Sequence, residues 1–368
     1  MEPDACQTVA LDALESAPNA PAVFRILTRD GEPYLGRTGL LRRRLVRLLR
    51  EREQPSRMLN LRAVATQVDY WLTGSRLDAS LRYYQLARRH FPGTYPQLVK
   101  LRWPTYVKLV LGNEFPRTML TTRLSGGAGL YYGPFRTRAA AETFEGEFLD
   151  LFQLRRCEEN LAPHADHPGC IYGEMNRCLR PCQLIVTREQ YAQETSRVEQ
   201  FLRTNGQSML ESVAAARERF SHELDFENAA RQHQRHERIG KILGLRDELV
   251  TELDQLQGVA VTASARPDEV QLTWWRRGWW HGPVVFPLQA AGAEIVSLDR
   301  RLRDLAAQLP PADGTWVQRQ EHVALLARWF YSSWRDGEWI PFASYAQVPY
   351  RKLTNAIHRV ATRPMAGK

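Results

Sequence analysis

The chain has 368 residues, 43% hydrophobic and 25% charged, which suits roughly two to four packed domains and excludes a disordered or low-complexity protein. No stretch reaches the ~18–20 apolar residues of a membrane-spanning helix, and Met1-Glu2-Pro3-Asp4 offers no basic run ahead of an apolar one, so the sequence predicts a cytoplasmic protein with no membrane partner. The net charge of +9 is uneven: residues 1–110 hold 18 Lys+Arg against 10 Asp+Glu, which favours a nucleic-acid partner at that end.

Residues 1–18 read as a loose tail or short helix. Ala22-Val23-Phe24-Arg25-Ile26-Leu27 is an apolar strand, Asp30-Gly31-Glu32-Pro33 has turn chemistry, and Tyr34-Leu35-Gly36 returns as a second strand. Leu40, Leu41, Val46, Leu48 and Leu49 recur through an arginine-rich helix, where Arg37, Arg42, Arg43, Arg44, Arg47, Arg50 and Arg52 crowd together with Glu51 as the one acid among them. Such a stretch is either a solvated helix face or a phosphate-binding one, and the charge imbalance favours the second. Val64 to Leu72 alternates as a strand, and residues 76–90 read as a helix stopped by Phe91-Pro92-Gly93. Residues 104–135 hold a second hairpin turning at Asn113-Glu114-Phe115-Pro116. Residues 137–153 form an amphipathic helix with Phe144, Phe148, Leu149 and Phe152 inward. Residues 188–246 are helical, with breaks at Asn205-Gly206 and near Ser221. Strands return at 259–261, 270–274 and 284–286, and the chain ends in helices, 321–335 the clearest.

The order of strand, turn, Tyr34-Leu35-Gly36-Arg37 and a helix opening with Leu41-Arg42-Arg43-Arg44 resembles the GIY-YIG nuclease fold, and in particular the N-terminal domain of the UvrC family, the incision subunit of bacterial nucleotide excision repair. Phosphodiester hydrolysis needs a base for the attacking water, cationic stabilisation of the phosphorane and a metal to carry charge. The resemblance implies Tyr34 as the base-side phenol and Arg44 as the phosphate contact, with Arg37 where the family has Lys. Arg37 keeps the charge but is not a titratable ammonium. Arg37, Arg42, Arg43, Arg44 and Arg47 are the expected nucleic-acid contacts. The family's metal-binding Glu falls at Tyr83, counting back from Pro92, and its Asn falls near Tyr95; no Asn occurs between residues 61 and 112. Asp78 lies five residues earlier, about 140° around the helix, and does not substitute. A hard divalent cation needs a fixed carboxylate, so Mg²⁺ or Mn²⁺ enters only if the site is active after all. The sequence therefore predicts a degenerate, DNA-binding pseudonuclease.

Cys157, Cys170, Cys178 and Cys182 give C-x12-C-x7-C-x3-C, with Cys6 far away. Clustered thiols in a reducing compartment read as ligands of a soft metal, Zn²⁺ or an iron–sulfur cluster. Paired C-x2-C knuckles are absent, and unequal spacing with Pro181 before Cys182 suits a cubane better. His164 and His167, between ligands, are expected in solvent. Tyr132-Gly133-Pro134-Phe135, Phe152-Gln153-Leu154-Arg155-Arg156-Cys157 and Arg177-Cys178-Leu179-Arg180-Pro181-Cys182 again resemble UvrC, which implies a [4Fe–4S] cluster.

Leu224-Asp225-Phe226-Glu227-Asn228-Ala229-Ala230-Arg231 resembles the UVR motif, through which that family binds UvrB. Phe226, Ala229 and Ala230 stand at i, i+3 and i+4, and the resemblance adds Glu227 and Arg231 to the partner-binding set. Gln232, His233 and Gln234 depart from the motif. An ordinary packed helix is the alternative. Trp274, Trp275, Trp279 and Trp280 crowd the hairpin around Arg276-Arg277, either for base stacking or, preferred here, as a hydrophobic face. Only 80 residues follow Leu288, too few for the RNase H-like and helix-hairpin-helix domains that the resemblance would place there, and Glu321 reads as a surface charge.

The expected fold is α+β and multi-domain: a tail (1–18), a small GIY-YIG-like α/β domain (19–100), a Cys-rich metal-binding α+β region (101–190), a helical hairpin (191–250) and a small, truncated α+β C-terminal region (251–368). The expected function is an accessory or regulator of excision repair that binds damaged double-stranded DNA and UvrB. The alternatives are a single-incision endonuclease using Tyr34, Arg37 and Arg44, and a non-cutting structural or redox-sensing iron–sulfur partner.

Overall fold

The computed structural model describes residues 6–29, 31–50, 60–289, 296–311 and 313–362. Asp30, Glu51, Arg52 and the first four residues, on which part of the sequence reading rests, lie outside them. Among the described residues the fold is α+β: three four-stranded sheets, every strand pair antiparallel, each carrying helices. No helix among the described residues is long and apolar enough to cross a membrane.

The first sheet joins β1 (Gln7–Val9), β2 (Ala22–Thr28), β3 (Tyr34–Thr38) and β4 (Ala65–Leu72) in the order β1-β4-β2-β3. The stretch expected as a tail thus supplies an edge strand, Gln7–Val9 pairing with Val68–Tyr70. Three residues are too short to show alternation, so only the pairing reveals the strand. Side chains of β2 alternate between faces. Phe24 and Ile26 meet Leu41 and Leu45 of helix α1 (Leu41–Leu48) and Leu49 just past its end, while Val23 meets Trp71 and Leu86 on the other face. Gly36 is required where β3 crosses Phe24: a Cβ there would lie 2.4 Å from the Phe24 ring.

Helix α2 (Leu61–Val64) precedes β4, and helix α3 (Arg76–His90) follows it, the Ser75 hydroxyl accepting from the Asp78 amide at 3.0 Å as N-cap. The short helix α4 (Tyr95–Val99) ends in a left-handed Lys100. The second sheet contains β5 (Thr105–Val110), β6 (Arg117–Thr121), β7 (Gly129–Phe135) and β8 (Thr251–Glu252). Against it pack α5 (Arg138–Leu149), α7 (Arg188–Arg203), α8 (Gln207–His222) and α9 (Phe226–Leu243), sharing a core of Phe144, Phe148, Phe152 and Phe201; between α5 and α7 lies the short α6 (Ile171–Glu174). Helix breaks fall at Asn205-Gly206 and at 223–225, close to the sequence expectation.

The third sheet, β11-β10-β9-β12, comprises β9 (Gly258–Ala263), β10 (Glu269–Arg276), β11 (Trp279–Pro287) and β12 (Glu338–Pro341). One face carries α10 (Leu298–Ala307) and α12 (Tyr350–Thr362). The other carries α11 (Trp316–Phe330), whose Val323, Leu326 and Ala327 share a core with Leu77, Leu81, Tyr84 and Ala87 of α3. Helix α3 is therefore held between the first sheet and α11. At ~1.5–3 kcal/mol for each fully buried large apolar side chain, this interface ties the first and last parts of the chain together.

Candidate functional site

Three residues of the nuclease-like reading converge beside α3. Arg37 leaves β3 on the same face as Leu35, with its guanidinium 5.5 Å from the centre of the Tyr83 ring and its Nη1 donating to Ser80 Oγ at 3.4 Å. Burial pushes the Tyr83 phenol up, with Arg37 pulling it down and Tyr34 adding to the rise, so all three lie in one electrostatic environment. Tyr34 is half-buried, 6.1 Å from Phe24. Among the described residues, no carboxylate pairs with Arg37. Asp78, the nearest acid in sequence, is 1% exposed and bonds Arg82 at 2.7 Å; burial raises its pKa and the Arg82 charge opposes the rise. It belongs to the packing of α3, as the helical-wheel argument implies.

The arginines of α1 divide. Leu41 and Leu45 turn inward, and Arg43 and Arg47 are exposed. The guanidiniums of Arg43, Arg44 and Arg47 make no hydrogen bond or ion pair among the described residues. Arg42 is otherwise employed: its Nε donates to the Ala17 carbonyl at 2.7 Å and ties α1 to the preceding loop. Nothing among the described residues brings Arg44 onto Tyr34 or Arg37.

Glu321 is the largest departure from the sequence reading. It is 1% exposed, not a surface charge. Its carboxylate accepts from the Tyr84 hydroxyl at 2.5 Å and from the Tyr95 hydroxyl. Burial and the Glu321 acceptor push Tyr95 up to about 12 and Tyr84 higher still. So Tyr95, near which the resemblance places the Asn, is committed to a bond with α11. More ties follow: the Arg76 amide donates to Asp336 Oδ2 at 2.5 Å, Trp329 Nε1 donates to the Asp336 carbonyl at 3.0 Å, and Arg328 Nη1 donates to the Val99 carbonyl at 2.9 Å. A signal for Glu321 was present in the sequence. It stands one helical turn before the buried Leu325, on the inward stripe.

The four cysteines lie on the loops after α5. Cys178 and Cys182 are buried, Cys157 is half-buried and Cys170 exposed. Burial first, then the neighbouring Cys157, Cys170 and Cys182, push the Cys178 thiol up to about 11, so the four thiols are within electrostatic reach of one another. The Arg180 amide donates to Cys178 Sγ at 3.4 Å, and Arg155 Nη1 to Cys157 Sγ at 3.4 Å. Among the described residues, no three His, Cys, Asp or Glu side chains stand close enough to ligate a single ion as they are. The donor chemistry suits a soft, thiolate-bound group: two of the four sulfurs receive N–H donors of the kind that stabilise anionic sulfur. His164 is exposed; His167 is half-buried, its Nδ1 accepting from the Gly169 amide at 3.0 Å.

At the tip of the α8–α9 hairpin, Leu224 is 70% and Phe226 67% exposed, and Glu227, Ala230 and Arg231 are also exposed; Ala229 is half-buried. Arg231 bonds Glu227 at 2.6 Å along the helix. The hairpin is anchored at its base by Met209, Val213, Ile239 and Ile242. Of the tryptophans, Trp274 and Trp275 are fully buried and Trp280 stacks on His322 at 4.5 Å, which is the hydrophobic-face reading.

Compared with known proteins, residues 105–201 match the model of the UvrC/Cho excinuclease middle domain, a span that includes all four clustered cysteines. The UvrABC system protein C of Lachnospira eligens is 25% identical over 224 residues, 60% of this chain and 36% of the relative. That of Methylococcus capsulatus is 26% identical over 219 residues, 59% of this chain and 36% of the relative. That of Dehalococcoides mccartyi is 23% identical over 355 residues, 94% of this chain and 57% of the relative. The chain is UvrC-like. This UvrC-like chain spans well under two thirds of the length of the curated relatives it matches. No solved structure matches.

Proposed function

We propose that this chain is a DNA-binding pseudonuclease of nucleotide excision repair, an accessory or regulator that grips damaged duplex and docks on UvrB. The observation that carries this reading is Tyr83. It stands where the resemblance places the metal-binding carboxylate, and it lies beneath the Arg37 guanidinium, which pairs with no carboxylate among the described residues. Tyr95, near which the resemblance places the second missing residue, is bonded to Glu321 and hence to α11. A site built this way holds positive charge and a phenol but lacks the anionic ligand that a hard cation needs.

The grip is assigned to Arg37 with Arg43, Arg44 and Arg47, none of which pairs with a carboxylate among the described residues. Cys157, Cys170, Cys178 and Cys182 would hold a [4Fe–4S] cluster, which would cross-link the loops after α5 to the start of α7. Zn²⁺ is the alternative occupant. The hairpin tip, with Leu224, Phe226, Ala229 and Ala230, is the surface offered to UvrB; two large exposed apolar side chains on a rigid helical stem are what a helix-pairing partner would cover.

The test is duplex binding by fluorescence anisotropy across a salt series, comparing the wild type with an Arg43/Arg44/Arg47→Ala variant. Every phosphate that is no longer neutralised by an arginine lowers the slope of log K against log salt by about 0.9. A fall in both affinity and slope is expected. Unchanged affinity and slope would contradict the grip.

A further inference from the structure

Asp150 caps α5 at its C-terminal end, where the helix dipole disfavours a carboxylate unless cations offset it. Three arginines do so. Its Oδ1 takes Arg156 Nη2 at 2.6 Å and Arg177 Nη1 at 3.0 Å, and its Oδ2 takes Arg238 Nη2 at 3.3 Å. Arg156 stands directly before Cys157, and Arg177 directly before Cys178. The Arg156 guanidinium also lies 5.1 Å from the centre of the ring of Tyr172, two residues beyond Cys170. The segments that bear three of the four clustered cysteines thus lead to one carboxylate. Hydrogen bonds support the arrangement: the Leu179 amide donates to the Gln153 carbonyl at 3.0 Å, and Gln153 Nε2 donates to the Asn176 carbonyl at 2.9 Å.

Arg238 comes from elsewhere in the fold. It lies on α9, the second helix of the hairpin, one residue before the fully buried Ile239. Between Val213 and Ile239 no residue of the hairpin is buried. Among the described residues, the ion pair of Arg238 with Asp150 is the polar tie from that span to the rest of the protein. The outer hairpin is therefore a cantilever, clamped at its base by apolar packing and steered at Arg238 by charge. Phe226, at the tip, stands about 18 Å along the helix from Arg238 at ~1.5 Å per residue. A tilt of about 10° at the clamp then moves the tip by about 3 Å, as far as an apolar contact reaches.

We propose that Asp150 is a charge joint that couples the four-cysteine loops to the hairpin, so that what the thiols hold sets how firmly α9 is presented to a partner. Ligation by four thiols fixes the segments that bear them relative to one another. Arg156 and Arg177 are then held in place, they hold the carboxylate, and the carboxylate holds Arg238. A hairpin set in advance loses less freedom on docking. Linkage makes the effect reciprocal: a partner that holds the hairpin raises the affinity of the thiols for their metal by the same factor. The joint rests on the proposed thiolate-bound metal and on the proposed UvrB docking for its two ends. The ion pairs at its centre stand without either.

The experiment uses the full chain, purified anaerobically with its metal content measured, as wild type, Cys170→Ser, Arg238→Gln and the double variant. Cys170 is exposed, and replacing it withholds one ligand without touching an arginine. Arg238 is exposed too, so its loss leaves the apolar base of the hairpin intact. Hydrogen exchange of the amides of residues 226–243 is the first readout, because local opening sets their rate. Cys170→Ser should speed exchange about fivefold, Arg238→Gln should do the same, and the double variant should be no faster than Arg238→Gln alone. Glu142→Gln, which breaks an exposed pair with Arg138 on α5, should match wild type. In the reverse direction, Arg238→Gln should yield its metal to a chelator about fivefold more readily than wild type. A second arm measures the affinity of the same four proteins for UvrB. Wild type should bind about fivefold more tightly than Cys170→Ser, and Arg238→Gln should remove that difference. If exchange follows loading through Arg238 while no form binds UvrB, the joint stands and the partner reading fails. If wild type binds UvrB but Cys170→Ser leaves hairpin exchange unchanged, the joint is overturned and the partner reading stands. A wild type that carries no metal overturns the proposal, as does a Cys170→Ser effect on exchange that is equally large with and without Arg238.

Discussion

Replacing Glu321 tests whether the C-terminal helix is locked onto the nuclease-like unit. The carboxylate is 1% exposed and accepts from two phenols, and Tyr84 is itself only 2% exposed. In Glu321→Ala the Tyr84 hydroxyl is left in the core without an acceptor, which costs about 1–3 kcal/mol, and the missing carboxylate leaves a small void. Tyr95 is half-buried, so water replaces much of its broken bond and its share is below ~1 kcal/mol. The sum is about 3 kcal/mol. Glu321→Gln keeps the volume and one acceptor and should cost about 1 kcal/mol. Tyr95→Phe should cost ~0.5–1 kcal/mol. Urea unfolding followed by tryptophan fluorescence is the assay, since Trp280 lies 5.4 Å from Tyr84, ring to ring. The first transition should shift, because the lesion lies between two packed units. A Glu321→Ala protein within ~0.5 kcal/mol of wild type would mean that the carboxylate is solvated, and the lock would be refuted.

Other consequences are as direct. His322 is held at about 3, against an ordinary 6.5, by burial first and then by Arg88 and His281, while its ring stacks on Trp280. Its folded pKa is depressed, so the unfolded chain binds the extra proton. Its contribution to stability is complete above pH 6.5 and is lost as the pH falls toward 3, by at most about 1.4 kcal/mol per pH unit. His322→Phe should flatten that part of a stability–pH profile, and an unchanged profile would contradict the assignment. At the hairpin, Leu224→Ser with Phe226→Ser should leave the unfolding midpoint within ~0.5 kcal/mol of wild type while abolishing co-purification with UvrB; retained capture would remove the tip from the interface. Cys178→Ser and Cys182→Ser should each strip iron and sulfide from anaerobically purified protein, whereas Cys6→Ser should not. Zinc in place of iron in the wild type would replace the cluster with a single-ion site.

Much of the fold is legible because its signals are local. The helix predicted over residues 76–90 is α3, its start set by the Ser75 cap and its end by Pro92. Phe144, Phe148, Leu149 and Phe152 are buried as their spacing requires, and the strands around Arg276-Arg277-Gly278 form the expected hairpin. The features that escape a sequence reading depend on partners distant in the chain. Glu321 meets Tyr84 and Tyr95 across 237 and 226 residues, and no local pattern announces an acceptor for two phenols. The strand Gln7–Val9 exists because Val68–Tyr70 offers it an edge. Arg42 resembles its neighbours in sequence but is drawn to the Ala17 carbonyl. Of the nuclease-like site, the meeting of Arg37 with Tyr83 follows the motif spacing, while the tie of Tyr95 to Glu321 forms only through the docking of α11.

The central claim, a site that holds nucleic acid without cutting it, is tested most directly by incision of a labelled, damaged duplex. Anaerobically purified protein would be assayed with Mg²⁺ or Mn²⁺, with and without UvrB, and with Tyr34→Phe in parallel. The account predicts binding without cleavage in every condition. Cleavage by the wild type that disappears in Tyr34→Phe would contradict it, and would make this chain an endonuclease whose metal is anchored by a carboxylate other than one at position 83.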